Sequence, residues 1–254
     1  MERFLPIHAR KKNFSPKTYD SYRQNLETHI YPYFGDWVMS SITSSAIDGF
    51  IDHLFQKPCR GSKSYGKHTS EIPTLSSGTV KKCYNILTLG FETAKRWNYI
   101  AEIPNTKGPS EHYKRRKAWS SEYISKILDQ IQDDPILHLS LHLAFVCSLR
   151  AGEIVAIDIH SINLDEGSMW ISQILERVSD EALKNLSREK IAKVFPKQFS
   201  NAKSRLVLKI PKTEGSLRKQ YLTQAHWFKK SKSALQKSTK RKSSLVQNIR
   251  TTVF

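Results

Sequence analysis

The sequence predicts a mainly α protein with a small β component, an α+β fold, and three observations carry that prediction. Apolar residues recur at helical spacing through the first hundred positions and again over 119–149. The pattern then changes to short alternating runs punctuated by Gly and Pro, and a basic stretch without apolar periodicity separates the two helical regions. The expected organisation is a helical domain over 1–106, a basic linker over 107–118, helices plus a β-hairpin over 119–223, and a Lys/Ser-rich, disordered or frayed tail over 224–254.

Each element has a local reason. In "FSPKTYDSYRQNLETHIYPYFG", Ser15 caps a helix whose first position is Pro16; Tyr19, Tyr22, Leu26 and Ile30 form one stripe, and Pro32 and Gly35 are expected to stop it. A second helix begins near Thr43 or Ser44 and buries Ile47, Ile51 and Leu54. The Gly-, Ser-, Lys- and Pro-rich "KPCRGSKSYGKHTSEIPT" reads as a loop. A long helix then starts at Ser76 or Ser77 and presents Val80, Cys83, Leu87, Phe91 and Ala94. After the linker, Trp119 and Ser120 open a helix carrying Ile124, Ile127, Leu128 and Ile131, with Trp119 as a hydrophobic staple. Pro135 opens an apolar helix that leads to Arg150. Beyond it, "INLDEGSMWISQI" reads as an Asp-Glu-Gly turn feeding a strand, and "SRLVLKIPKTEGSLRKQYL" as two strands about a turn at Thr213 to Ser216. Residues 176–203 read as a partly helical excursion between them.

Charge narrows the class of partner. Lys and Arg outnumber Asp and Glu by 41 to 23 in 254 residues, a formal +18, which favours a polyanion, most often nucleic acid. After Glu214 there are ten basic residues and no acid. No window approaches the ~18 apolar residues of a membrane span, so no membrane partner is expected. The start "MERFLPIHARKK" has no long apolar core and is not read as a secretory signal. Cys59, Cys83 and Cys147 form neither a disulfide framework nor a zinc spacing; the expectation is a reducing cytoplasm, with no metal and no small-molecule cofactor.

Arg150 is the candidate for chemistry. It follows the apolar run "ILHLSLHLAFVCSL" and precedes Ala151, Gly152 and Glu153, and a guanidinium against apolar surface needs a carboxylate or a phosphate. Glu153, three residues on, offers an internal ion pair; a ligand phosphate is the other partner.

Four features in order bear on that choice: "SLRAGEI" after an apolar helix, then "LDEGSMWI", then "IPKTEGSLRKQYL", all preceded by helices and a basic linker. Over roughly residues 5–223 this resembles the tyrosine recombinases of the phage-integrase family, whose first catalytic arginine lies in a Gly-Leu-Arg-x-Gly-Glu context and whose lysine lies in a Pro-Lys-Thr hairpin. The upstream helices are similar to its SAM-like core-DNA-binding domain. The segment with "RVSDEALKNL" and "KVFP" resembles integrases of conjugative transposons.

The resemblance implies site-specific recombination through a 3′-phosphotyrosine, without metal or nucleotide. Arg150 would then bind non-bridging oxygens of the reacting phosphate, Glu153 would orient it, and Lys212 would protonate the leaving 5′ oxygen. Lys17, Lys81, Lys82, Lys114, Arg115, Arg116 and Lys117 would contact duplex DNA, with the linker letting two domains clamp it. Further recombinase subunits on the DNA are possible partners in that scheme.

The resemblance also sets an expectation of loss. The family places a His-x-x-Arg element and a tyrosine nucleophile after the hairpin, whereas the one His-x-x-Arg here, His112 to Arg115, lies in the linker, and Tyr221, in the second hairpin strand, is the last tyrosine. The chain is therefore expected to be a C-terminally truncated integrase that binds DNA without cleaving it, with a marginal second domain. The alternative is a non-enzymatic DNA-binding protein that acts at, or competes for, the recombination site.

Overall fold

A computed structural model describes residues 4–59, 74–111, 117–163, 165–186, 189–211 and 213–221. The chain divides into two compact units, one of residues 1–116 with 179–187, the other of 117–178 with 188–254. Helices α1 to α9 span Phe4–Lys11, Pro16–Asn25, Tyr31–Phe34, Ser44–Gln56, Ser77–Arg96, Ser121–Gln130, Pro135–Val146, Ala151–Ile154 and Asp180–Asn185. Strands β1 to β6 span Ile162–Asn163, Ser168–Ile171, Ile174–Ser179, Ile191–Val194, Ser204–Lys209 and Arg218–Tyr221. The fold is α+β, as the sequence predicts.

The first unit is built on capped helices. Ser15, Thr43 and Ser76 each accept an N–H from the first turn of α2, α4 and α5, satisfying donors that would otherwise be orphaned. Tyr19, Leu26, Ile30, Phe50, Leu54, Val80, Cys83, Leu87 and Phe91 interlock in the core. Pro32 does not stop the second helix, contrary to the sequence expectation. A π-turn over Leu26–Ile30 carries the chain into α3, with the Tyr31 N–H bonded to the Leu26 carbonyl. Pro32 has no N–H for the Thr28 carbonyl; Lys57 Nζ donates to that oxygen at 2.8 Å. The short helix α1, which the sequence reading passed over, buries Phe4, Leu5, His8 and Ala9.

Part of the expected linker lies along α5. Tyr84 donates to the Thr106 carbonyl at 2.9 Å, and Lys81 approaches Glu111 at 3.8 Å. Gly108 passes so close to the Tyr84 ring that a Cβ would sit 2.5 Å from it, which is why glycine stands there. Helix α9 also belongs to this unit and is fixed to α2 by polar contacts. Tyr19 donates to Glu181 at 3.1 Å and accepts from Asn185 at 3.0 Å, while the Ser179 N–H donates to Asp20 at 3.1 Å. Burial and the adjacent Glu181 carboxylate push the Tyr19 phenol up to about 12.

The second unit holds two three-stranded sheets, ordered β1-β2-β6 and β3-β5-β4. The expected hairpin between the strands of "SRLVLKIPKTEGSLRKQYL" does not form. Strand β5 pairs antiparallel with β4, whereas β6 pairs antiparallel with β2, with Ile171 opposite Arg218 and Trp170 opposite Lys219. The two strands were read as partners because they adjoin in sequence. The partner of β5 is the strand just before it, β4, whereas the partner of β6 is distant in sequence, and the expected partly helical excursion supplies β3, α9 and β4 between β2 and β5.

The turn before β2 needs Gly167, whose φ of 64° is left-handed. Leu143, Cys147, Leu149, Met169 and Ile171 form the buried cluster, with Leu139, Ile154, Ile157 and Ile162 packed against it. Trp119 precedes α6 and lies edge-on to Tyr123 and within ring contact of Phe145 on α7.

Candidate functional site

Arg150 lies beyond the end of α7, as the N-cap of α8, with extended φ and ψ of −75° and 149°. Ser148, two residues earlier, adopts φ 52°, a left-handed conformation that a β-carbon disfavours. That reversal directs the chain out of α7 and sets Leu149 into the core. Gly152 is needed for close approach, since a Cβ there would lie 2.8 Å from Ile174 Cγ2. The pattern Arg-x-Gly-Glu thus has a steric reason at its glycine and an electrostatic one at its ends.

Glu153 is the centre of the site, and its carboxylate is fully buried. Its Oε1 accepts Arg150 Nη1 at 3.1 Å and Arg218 Nη1 at 3.3 Å. Its Oε2 accepts the Arg150 backbone N–H at 3.0 Å and Arg218 Nη2 at 2.9 Å. Four donors therefore use the four lone-pair sites of one carboxylate. Burial alone would raise the Glu153 pKa; the hydrogen bonds and charge of Arg218, with those of Arg150, outweigh it and hold the carboxyl below its ordinary 4.5.

The two arginines are used differently. Arg218, 29% exposed, grips Glu153 with two nitrogens and also donates to the Ser216 carbonyl at 3.2 Å. Arg150, 72% exposed, gives Glu153 a single Nη1 contact. Among the described residues, its Nη2 and Nε have no hydrogen-bond partner, so one edge of a planar, permanently charged fork is open to an anion.

Glu153 thus joins Arg150 as the spacing predicts, but Arg218 was missed by sequence reasoning. The available signal was its inward position in a strand: Arg218 and Gln220 alternate with the exposed Lys219 and Tyr221. Lys17 and Lys82 are exposed on α2 and α5 of the first unit, and Lys81 is partly engaged by Glu111. Lys117 is exposed at the start of the second unit. Lys114, Arg115, Arg116 and Lys212 lie outside the described residues. No group of three His, Cys, Asp or Glu side chains suited to a metal ion occurs among the described residues, and no described helix is long and apolar enough to cross a membrane.

Residues 3–55 match the family described as phage integrase, N-terminal SAM-like domain. The integrase of transposon Tn1549, solved in complex with a circular intermediate DNA, superposes with a TM-score of 0.59 at 13% identity, covering 88% of this chain and 61% of that one. The chain has an integrase fold. A lambda integrase dimer bound to a COC′ core site is also similar, with a TM-score of 0.53 at 19% identity over 67% of this chain and 43% of that chain. This integrase-fold chain therefore spans about three fifths or less of the length of these solved integrases. A search of curated proteins by sequence gave no match.

Proposed function

We propose that this chain acts on duplex DNA as a site-specific tyrosine recombinase, or integrase, of a mobile element, and that Arg150 binds the reacting phosphate. The observation that carries the proposal is the exposed guanidinium of Arg150, held at its base by the fully buried Glu153. A pentacoordinate phosphorane carries charge on its non-bridging oxygens, and two parallel N–H donors from a fixed fork meet that geometry. Glu153 positions the fork and does not touch DNA. Where a tyrosine nucleophile is supplied to the phosphate, Lys212 protonates the leaving 5′ oxygen.

Basic side chains on both units, including Lys17, Lys81, Lys82 and Lys117, contact backbone phosphates and give affinity without reading sequence. Lys114, Arg115 and Arg116 contribute in the same way. The work is done in the cytoplasm with double-stranded DNA, and further recombinase subunits on the same DNA are the fitting partners. Residues 1–254 contain no tyrosine after Tyr221 and no His-x-x-Arg after Arg150, so they bind duplex and do not cleave it unaided.

A labelled duplex tests this in two gels. In the native gel the chain retards the duplex, and log affinity falls with log salt by about 0.9 per phosphate neutralised. In the denaturing gel no protein–DNA adduct survives. Salt-independent retardation would remove the phosphate-binding reading, and a denaturation-stable adduct formed by these 254 residues alone would remove the non-cleaving one.

A further inference from the structure

We infer that Arg218 is a positioning residue that keeps Arg150 available to phosphate by supplying the positive charge that Glu153 would otherwise take from it. The inference rests on the proposed phosphate-binding role of Arg150 and assigns the control of that role to a residue on a different element.

The geometry is specific. A buried carboxylate flanked by one arginine forms the strongest contact when the two are bidentate, fork to fork. Here that bidentate partner is Arg218, with Nη1 at 3.3 Å and Nη2 at 2.9 Å from the two carboxylate oxygens. Arg150 makes its single side-chain contact at 3.1 Å and remains 72% exposed. Were Arg218 neutral, the Arg150 guanidinium would be the sole charged partner of a fully buried carboxylate. It would turn inward to pair with both oxygens, and an approaching phosphate would have to displace a carboxylate first.

Charge counting leads to the same place. Arg150 and Glu153 alone are a neutral pair, and a neutral pair has little attraction for a phosphate diester. With Arg218 added, the trio carries one net positive charge. Coulomb energy between unit charges a few ångströms apart is several-fold larger near protein than in bulk water, so that one charge beside the phosphate matters. Sheet pairing fixes where it sits. Arg218 lies opposite Ile171 in the ladder between β6 and β2, and Ile171 is part of the buried cluster that also holds Leu149, next to Arg150.

The test reads charge at the phosphate and separates it from structural support. Binding of a fluorescein-labelled 20-base-pair duplex by the 254-residue chain is measured over a salt series for the parent, Arg150→Ala, Arg218→Met, Arg218→Lys, Glu153→Gln and the double variant Arg218→Met/Glu153→Gln. Removing one phosphate contact lowers the slope of log affinity against log salt by about 0.9. Arg150→Ala and Arg218→Met are each expected to lower it by about that amount, and Arg218→Lys to keep the parent slope. Glutamine at position 153 still accepts the Arg150 backbone N–H but carries no charge, so the double variant regains the parent slope.

A merely structural Arg218 would not be rescued by changing Glu153. Failure of that rescue, or a parent-like slope for Arg218→Met while Arg150→Ala loses its contact, overturns the inference and leaves the role of Arg150 standing. A parent-like slope for Arg150→Ala overturns the phosphate-binding reading itself, and the inference falls with it. Circular dichroism of each variant confirms that the folded chain is being compared.

Discussion

In the first unit, α4 and α5 bury Phe50, Leu54, Leu87 and Phe91 almost completely, whereas in the second unit the more apolar α7 buries Leu143 alone among its twelve residues. Ile136 and Leu137 on α7 are 56% and 44% exposed, and Val155, just past α8, is 60% exposed. Apolar content makes a helix, but only a facing partner makes a core. The second unit replaces part of that missing apolar contact with a buried polar centre, Glu153, which ties α8 to β6. The two units therefore depend on different physics.

That contrast can be broken by substitution, beginning with the largest effect. Phe50→Ala in the first unit should cost about 3–5 kcal/mol, the range for a large buried aromatic, read as a lowered urea midpoint. Glu153→Leu should cost about 3 kcal/mol in the second unit, because two arginines would be left facing each other around an apolar group. The same carboxylate sets an acid limit. Its folded pKa is depressed, so its contribution is complete above the ordinary value of 4.5 and is lost as pH falls through the lower folded value. Acid unfolding monitored by near-ultraviolet circular dichroism should therefore begin in the second unit.

Tyr19→Phe removes the hydrogen bonds to Glu181 and Asn185 and should weaken the docking of α9 by about 1 kcal/mol. Because the folded phenol titrates near 12 and an ordinary one near 10, this contribution holds below pH ~10 and disappears as pH rises through 12. Ultraviolet titration of phenolate should show one tyrosine ionising late, and Tyr19→Phe should abolish that phase. Ser148→Gly relieves a left-handed φ of 52° and should raise stability by up to about 1 kcal/mol, read in the same urea titration. Ile136→Ala should change it by less than about 0.5 kcal/mol, as expected for an exposed side chain. A core-sized loss at Ile136 would mean that α7 is covered after all.

What the sequence disclosed follows the same division between local and distant partners. The starts of α2, α4, α5 and α6 were legible because Ser15, Thr43, Ser76 and Ser120 act within one turn. The pairing of Arg150 with Glu153 was legible because three residues separate them. Passage of the helix through Pro32 was not, since it depends on Lys57 reaching the Thr28 carbonyl from another element. The pairing of β6 with β2 was hidden by the strands inserted between them, and Arg218 was hidden with it. Trp119 was legible as an aromatic at a helix start, yet its ring contact with Phe145 comes from the neighbouring helix.

If the open edge of the Arg150 fork binds a DNA phosphate, Arg150→Ala must bind duplex more weakly than the parent at one fixed salt concentration. Glu153 keeps its bidentate partner Arg218 in that variant, so the site should remain folded. Loss of a charge-assisted contact of about 1.5–3 kcal/mol predicts binding weaker by roughly 10- to 150-fold. Equal affinity for the variant and the parent would leave Arg150 as a partner of Glu153 alone.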